Sequence, residues 1–166
     1  MQEKQDVSLQ EQELQRQFHY MDLLKGRLTE EAARLGRPYR YAVVTLGCQM
    51  NAHDSEKLIG ILAQAGAQAS GEDEADLVIY NTCCVRENAE QRVLGRLGYL
   101  KGQKSKRPGM KIALCGCMMQ EPHMVEKIRR SYPQVDLIFG TFNIYRFAEL
   151  FYALLEQGGM IVDIWK

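Results

Sequence analysis

Tyr41-Ala42-Val43-Val44-Thr45-Leu46-Gly47-Cys48 is a short β-prone run that gives out at a glycine and a cysteine. The pattern recurs twice downstream. Asp76-Leu77-Val78-Ile79-Tyr80 leads through Asn81 and Thr82 to Cys83, and Lys111-Ile112-Ala113-Leu114 leads through Cys115 and Gly116 to Cys117. As parallel strands of one open α/β sheet, these runs bring their thiols together beyond the carboxyl edge, where such sheets bind ligands. Three converging thiolates make a metal site with one position unfilled.

The segments between the runs read as helices. Asn51 to Ala65 sets Leu58, Ile61, Leu62 and Ala65 on one face, with Asn51 or Asp54 as a cap. Ala67 to Ser70 suits a short strand. A long helical stretch carrying Ala89, Val93, Leu97 and Leu100 in register is broken by Arg107, Pro108 and Gly109. A helix near Glu121 to Arg130, a strand at Val135 to Phe139, a helix at Ile144 to Leu155 and a strand at Met160 to Ile164 follow. This alternation predicts βαβ units and an open, mainly parallel, Rossmann/flavodoxin-like sheet with helices on both faces. It also supplies a core large enough to fold without metal.

Residues 1–40 differ, with six Gln and no strand-like run. Leu14, Phe18, Met21, Leu24 and Leu28 recur at helical spacing, and Thr29-Glu30-Glu31 suits the cap of a second short helix ending before Gly36 and Pro38. The expected division is a helical extension over 1–40 and a domain over 41–166. Lys+Arg and Asp+Glu both number 21, so no net charge draws the chain toward nucleic acid. The sequence has neither a membrane-length apolar run nor an export signal, so the expected compartment is the cytoplasm. There, cysteines serve as metal ligands, redox groups or core residues rather than structural disulfides.

Other motifs carry less. Gly98, Gly102, Lys104 and Ser105 lack the order of a phosphate loop, and His19, His53 and His123 have no zincin spacing. Lys101, Lys104, Lys106 and Arg107 read as a solvated helix end or as a phosphate-binding patch. Cys115, inside its apolar run, is expected to point into the core, and Cys84 to point away from Cys83. Spacing alone leaves a metal site and a set of unrelated core thiols both open.

Leu46-Gly47-Cys48-Gln49-Met50-Asn51 with Asp54-Ser55-Glu56, then Asn81-Thr82-Cys83 with Arg86-Glu87-Asn88-Ala89, then Gly116-Cys117 and Phe139-Gly140, resembles the N-terminal domain of the methylthiotransferases. These are two-cluster radical S-adenosylmethionine enzymes. The Gly-Cys-Gln-Met-Asn form is similar to the MiaB-type branch, which adds a methylthio group to C2 of N6-isopentenyladenosine at position 37 of tRNA. The resemblance runs over residues 41–166 and leaves residues 1–40 outside the family pattern.

The resemblance implies that Cys48, Cys83 and Cys117 ligate an auxiliary [4Fe-4S] cluster with one open iron, while Cys84 and Cys115 fall on positions that are not ligands. Gln49, Asn51 and Arg86 flank the matched cysteines and are candidates for the cluster pocket, or for helix caps and ordinary surface. S-adenosylmethionine and a second [4Fe-4S] cluster belong to the full-length enzyme, because no Cys-x-x-x-Cys-x-x-Cys loop occurs here. The chain is therefore expected to be one domain of a longer enzyme, with the linker to the catalytic barrel after Lys166. Its expected partners are the radical-SAM and RNA-binding domains of the same polypeptide and, weakly for this domain alone, tRNA. Three alternatives stand beside this: a zinc or thiol redox-switch module using Cys115 and Cys117 or the Cys83-Cys84 pair, a flavodoxin-like nucleotide-binding module, and a methylthiotransferase domain serving another substrate.

Overall fold

The structure is a computed structural model that describes residues 2–47, 49–83 and 88–164. Strands β1 (Arg40–Leu46), β2 (Gln68–Ala69), β3 (Leu77–Thr82), β4 (Lys111–Gly116), β5 (Leu137–Phe139) and β6 (Ile161–Asp163) form one sheet in the order β2-β1-β3-β4-β5-β6. Every pairing is parallel. This is the flavodoxin-like 2-1-3-4-5 order extended by a sixth strand, with its topological switch between β1 and β3. Helices α1 (Gln2–Leu35), α2 (Gln49–Gln64), α3 (Ala89–Lys106), α4 (Pro122–Ser131) and α5 (Phe147–Gln157) complete the chain.

Strand alternation divides the core in two. Leu77, Ile79, Ala113, Cys115, Leu137 and Phe139 face one side, with α2 and α5 packed on them through Leu58, Leu62, Phe147, Phe151 and Leu154. Val78, Tyr80, Ile112, Leu114 and Ile138 face the other, under Val93, Leu97 and Leu100 of α3 and Met124 and Ile128 of α4. Central strands covered on both faces are apolar at successive positions, which is why β3 is buried at all six.

Several boundaries differ from expectation, and β4, like β3, runs two residues further, to Gly116. β3 continues through Asn81 and Thr82, because both residues stay in register with β1 and β4. β5 starts at Leu137, since Val135 N–H turns back to the Tyr132 carbonyl. Thr141–Arg146 is a 3-10 segment, so α5 begins only at Phe147. Residues 2–35 form one helix where two were expected. The Thr29 hydroxyl donates back to the Lys25 carbonyl at 2.8 Å instead of capping a new helix, and the bridge Arg27–Glu31 (2.7 Å) spans the supposed break.

α1 lies against α5. Arg16 and Gln17 donate to Glu149 at 2.9 and 3.2 Å, Arg27 donates to Glu156 at 3.0 Å, and Leu24 and Leu28 enter the core. The stripe read from sequence is thus only half used, because Leu14 and Phe18 remain 56% and 59% exposed. Leu24→Ala is expected to cost about 3 kcal/mol in denaturant unfolding. Leu14→Ala is expected to change stability by less than about 0.5 kcal/mol. Equal costs would mean that α1 packs as a loose appendage.

The join between α1 and β1 is clamped to β3. Arg37 donates to both Asp76 oxygens at 2.7 and 2.9 Å, and the Arg40 N–H reaches the same carboxylate at 2.8 Å. Burial pushes the Asp76 carboxyl up, but these bonds and the Arg37 and Arg107 charges outweigh it and hold the group below the usual carboxylate range. Two residues of the basic run are likewise committed to the fold, while Lys101 and Lys106 are exposed. Lys104 bonds Asp136 at 2.6 Å and the Gln134 carbonyl at 2.9 Å, and Arg107 donates to the Ala75 carbonyl at 3.0 Å.

Candidate metal centre at the carboxyl edge of the sheet

β1, β3 and β4 are neighbours, and each delivers its chain to the same edge. β1 ends at Leu46 and passes through Gly47 toward Cys48, which lies outside the described residues together with Cys84 and Arg86. Cys83 directly follows β3 and is buried. Cys117 directly follows β4, is partly exposed, and its Sγ lies 3.8 Å from the Thr82 carbonyl oxygen. No disulfide joins the described cysteines. Among the described residues no three Cys, His, Asp or Glu side chains form a metal-binding group, and a set that includes Cys48 lies beyond that statement.

Two glycines let these loops approach β3. Gly47, at φ 150°, stands so close that a Cβ there would lie 2.1 Å from Cys83 Cβ. Gly116, at φ 99° and ψ 179°, holds a conformation essentially reserved for glycine, and its Cβ would meet the Thr82 carbonyl oxygen at 2.2 Å. Gly116→Ala is expected to cost about 3 kcal/mol or more in denaturant unfolding, since it adds backbone strain to a clash with a strand. A cost below about 1 kcal/mol would show that the Cys117 loop is not pinned to β3.

A buried polar network fills the space beneath the edge. Asn81 Nδ2 donates to the Asn51 carbonyl at 2.7 Å and to Ser55 Oγ at 2.9 Å. Asn51 Nδ2 donates to the Thr82 carbonyl at 2.5 Å, and Thr82 Oγ1 donates to the Cys115 carbonyl at 2.6 Å. Ser55 and Thr45 hydroxyls meet at 2.7 Å. Asn51 therefore bonds across to β3 from the first turn of α2, a helix that already begins at Gln49. The side chain of Gln49 is outside the described residues.

Sequence reasoning quoted Asn81 and Ser55 within the family motifs but gave neither a role. The signal was present: a strand apolar at four successive positions ends in Asn and Thr, and polar groups buried there need partners from elsewhere in the fold. Cys115 sits where expected. Its side chain is fully buried among the residues facing α2 and α5, and burial pushes its thiol above the usual cysteine range. A buried, protonated thiol is neither a ready ligand nor a redox partner for Cys117. His19, His53 and His123 are exposed.

The two described sulfur donors suit an iron-sulfur cluster. Cys83 and Cys117 supply soft sulfur donors directly after adjacent strands, and the missing Cβ at Gly47 and Gly116 lets the backbone there close on β3.

A family model described as "Uncharacterized protein family UPF0004" matches residues 40–140, which include both described cysteine loops. The chain belongs to this family. It is similar to proteins named tRNA-2-methylthio-N(6)-dimethylallyladenosine synthase. One, from Lachnoclostridium phytofermentans, is 57% identical over 146 residues, covering 88% of this chain and 32% of that protein. Another, from Acetivibrio thermocellus, is 47% identical over 164 residues, covering 98% and 34%. A third, from Clostridioides difficile, is 47% identical over 166 residues, covering 99% and 35%. The chain thus spans about a third of the length of the curated relatives it matches. The family model begins at residue 40, but the two longer alignments run into α1, so similarity extends beyond the 41–166 span expected from the motifs. No helix among the described residues is long and apolar enough to cross a membrane.

Proposed function

We propose that this UPF0004 domain is the auxiliary [4Fe-4S] cluster domain of a tRNA methylthiotransferase that converts N6-isopentenyladenosine-37 of tRNA to its 2-methylthio derivative. The observation that carries the reading is that Cys83 and Cys117 follow adjacent central strands, while β1, on the other side of β3, leads through Gly47 to Cys48. Cys83 and Cys117 thus stand at the carboxyl edge beside the β1/β3 switch, where folds of this order take their ligands, and Cys48 follows Gly47 in the chain. Cys48, Cys83 and Cys117 hold the cluster. When bound, it supplies one iron without a protein ligand, open to an exogenous sulfur species. Asn51 fixes the first turn of α2 to β3, Gln49 directly follows Cys48 in the chain, and Arg86 lies three residues after Cys83.

S-adenosylmethionine cleavage requires a second cluster, which belongs to a radical-SAM domain of the same polypeptide. The grip on tRNA comes mainly from an RNA-binding domain, and the enzyme works in the cytoplasm. Anaerobic reconstitution with iron and sulfide tests the first step: the chain is expected to turn brown and hold roughly four iron per molecule. Colourless protein with bound zinc would favour the zinc module, and a yellow flavin spectrum the nucleotide-binding one.

A further inference from the structure

We propose that Asn81 is a positioning residue for the cysteine site, an inference that rests on the cluster reading above. Its side chain is fully buried in the central strand β3, two residues before Cys83. A buried amide in that place is costly unless it is bonded. Both of its described bonds leave the strand for one helix, to the Asn51 carbonyl and to Ser55 Oγ. Asn51 returns a bond to the Thr82 carbonyl, so the two asparagines exchange donors across the gap between α2 and β3.

That exchange links the loops. Asn51 lies three residues after Cys48, and Thr82 immediately precedes Cys83. The Thr82 carbonyl also faces Cys117 Sγ, and the Thr82 hydroxyl bonds the Cys115 carbonyl. Asn81 Oδ1 has no hydrogen-bond donor among the described residues and faces Gly116, where a Cβ would stand 2.8 Å from it. One buried amide thus touches α2, which follows Cys48 in the chain, the strand end before Cys83 and the glycine before Cys117. Networks of this kind select a single arrangement of the backbone that carries them. Ligating residues need that support to keep their geometry before the ligand arrives.

The test compares Asn81→Leu, which keeps volume and removes both donors, with Leu100→Ala, a cavity on α3 under the opposite face. In metal-free protein, Asn81→Leu is expected to speed amide exchange about tenfold over residues 47–51 and 82–83 while residues 77–80 and 112–114 change far less. Leu100→Ala, compared at equal loss of Tm, is expected to lack that local pattern. In reconstituted protein, Asn81→Leu is expected to lose iron to a chelator about tenfold faster than either wild type or Leu100→Ala. Asn51→Ala, which cuts only the bond to Thr82, gives the same local pattern more weakly and decides the matter if Asn81→Leu does not fold. Unchanged loop exchange in the folded variants overturns the proposal. If wild type takes up no iron, the cluster reading fails, and the exchange data still decide whether Asn81 positions the loops.

Discussion

Cys83→Ala and Cys117→Ala, and Cys48→Ala with them, are expected to abolish stable [4Fe-4S] binding, because two remaining thiolates leave two irons uncovered. Cys115→Ala and Cys84→Ala are expected to keep iron near four per chain. The contrast between Cys115 and Cys117 is the sharper one, since only Gly116 separates them. Cys115 is still on β4, with its side chain in the core under α2 and α5, and burial keeps its thiol protonated. Its removal leaves a small cavity costing about 1 kcal/mol and touches no ligand. Cys117 has passed the strand end and turned toward Thr82. Iron and sulfide counted per chain after anaerobic reconstitution measure the outcome. A full cluster in Cys83→Ala together with loss in Cys84→Ala would overturn the ligand assignment.

The second large effect is an absence of turnover. Even with its cluster rebuilt, the chain is expected to form no 2-methylthio product from isopentenylated tRNA, S-adenosylmethionine and reductant. Hydrogen abstraction from the base needs a radical, and the 166 residues contain no second cysteine motif to generate one. Binding is limited as well: zero net charge leaves little counterion release to hold RNA, and Lys104 and Arg107 of the basic run are tied to the fold. Joining the domain to the remaining two thirds of a chain as long as its relatives is expected to restore product. Product from the isolated chain, with no other iron-sulfur protein present, would show that it is more than a supporting domain.

The fold was legible because its signals are local. Apolar β-prone runs alternating with helical periods imply a parallel α/β sheet, and the helices at Leu58-Leu62-Ala65 and Val93-Leu97-Leu100 bury the faces their spacing marks. Expectation failed where a local signal met a nonlocal partner. Thr29 looks like a cap, yet Arg27 and Glu31 carry the helix past it. Asn81 and Thr82 read as lying past the end of the strand, yet the ladders to β1 and β4 and the bonds to α2 hold them in it. Leu14 and Phe18 match the period of α1, yet α5 buries only Leu24 and Leu28 among that stripe, with Met21 half covered.

By itself the sequence determined the class of the fold and the placement of Cys83 and Cys117 just past strand ends, since residue type and spacing act along the chain. Only the tertiary structure decided the strand order that makes β1, β3 and β4 neighbours and the pairing of Asn81 with Asn51. Those features depend on contacts between residues some thirty positions apart, such as Asn81 with Asn51 and Thr82 with Cys115, which no window of sequence displays. A buried amide declares its role only when its partners are in place.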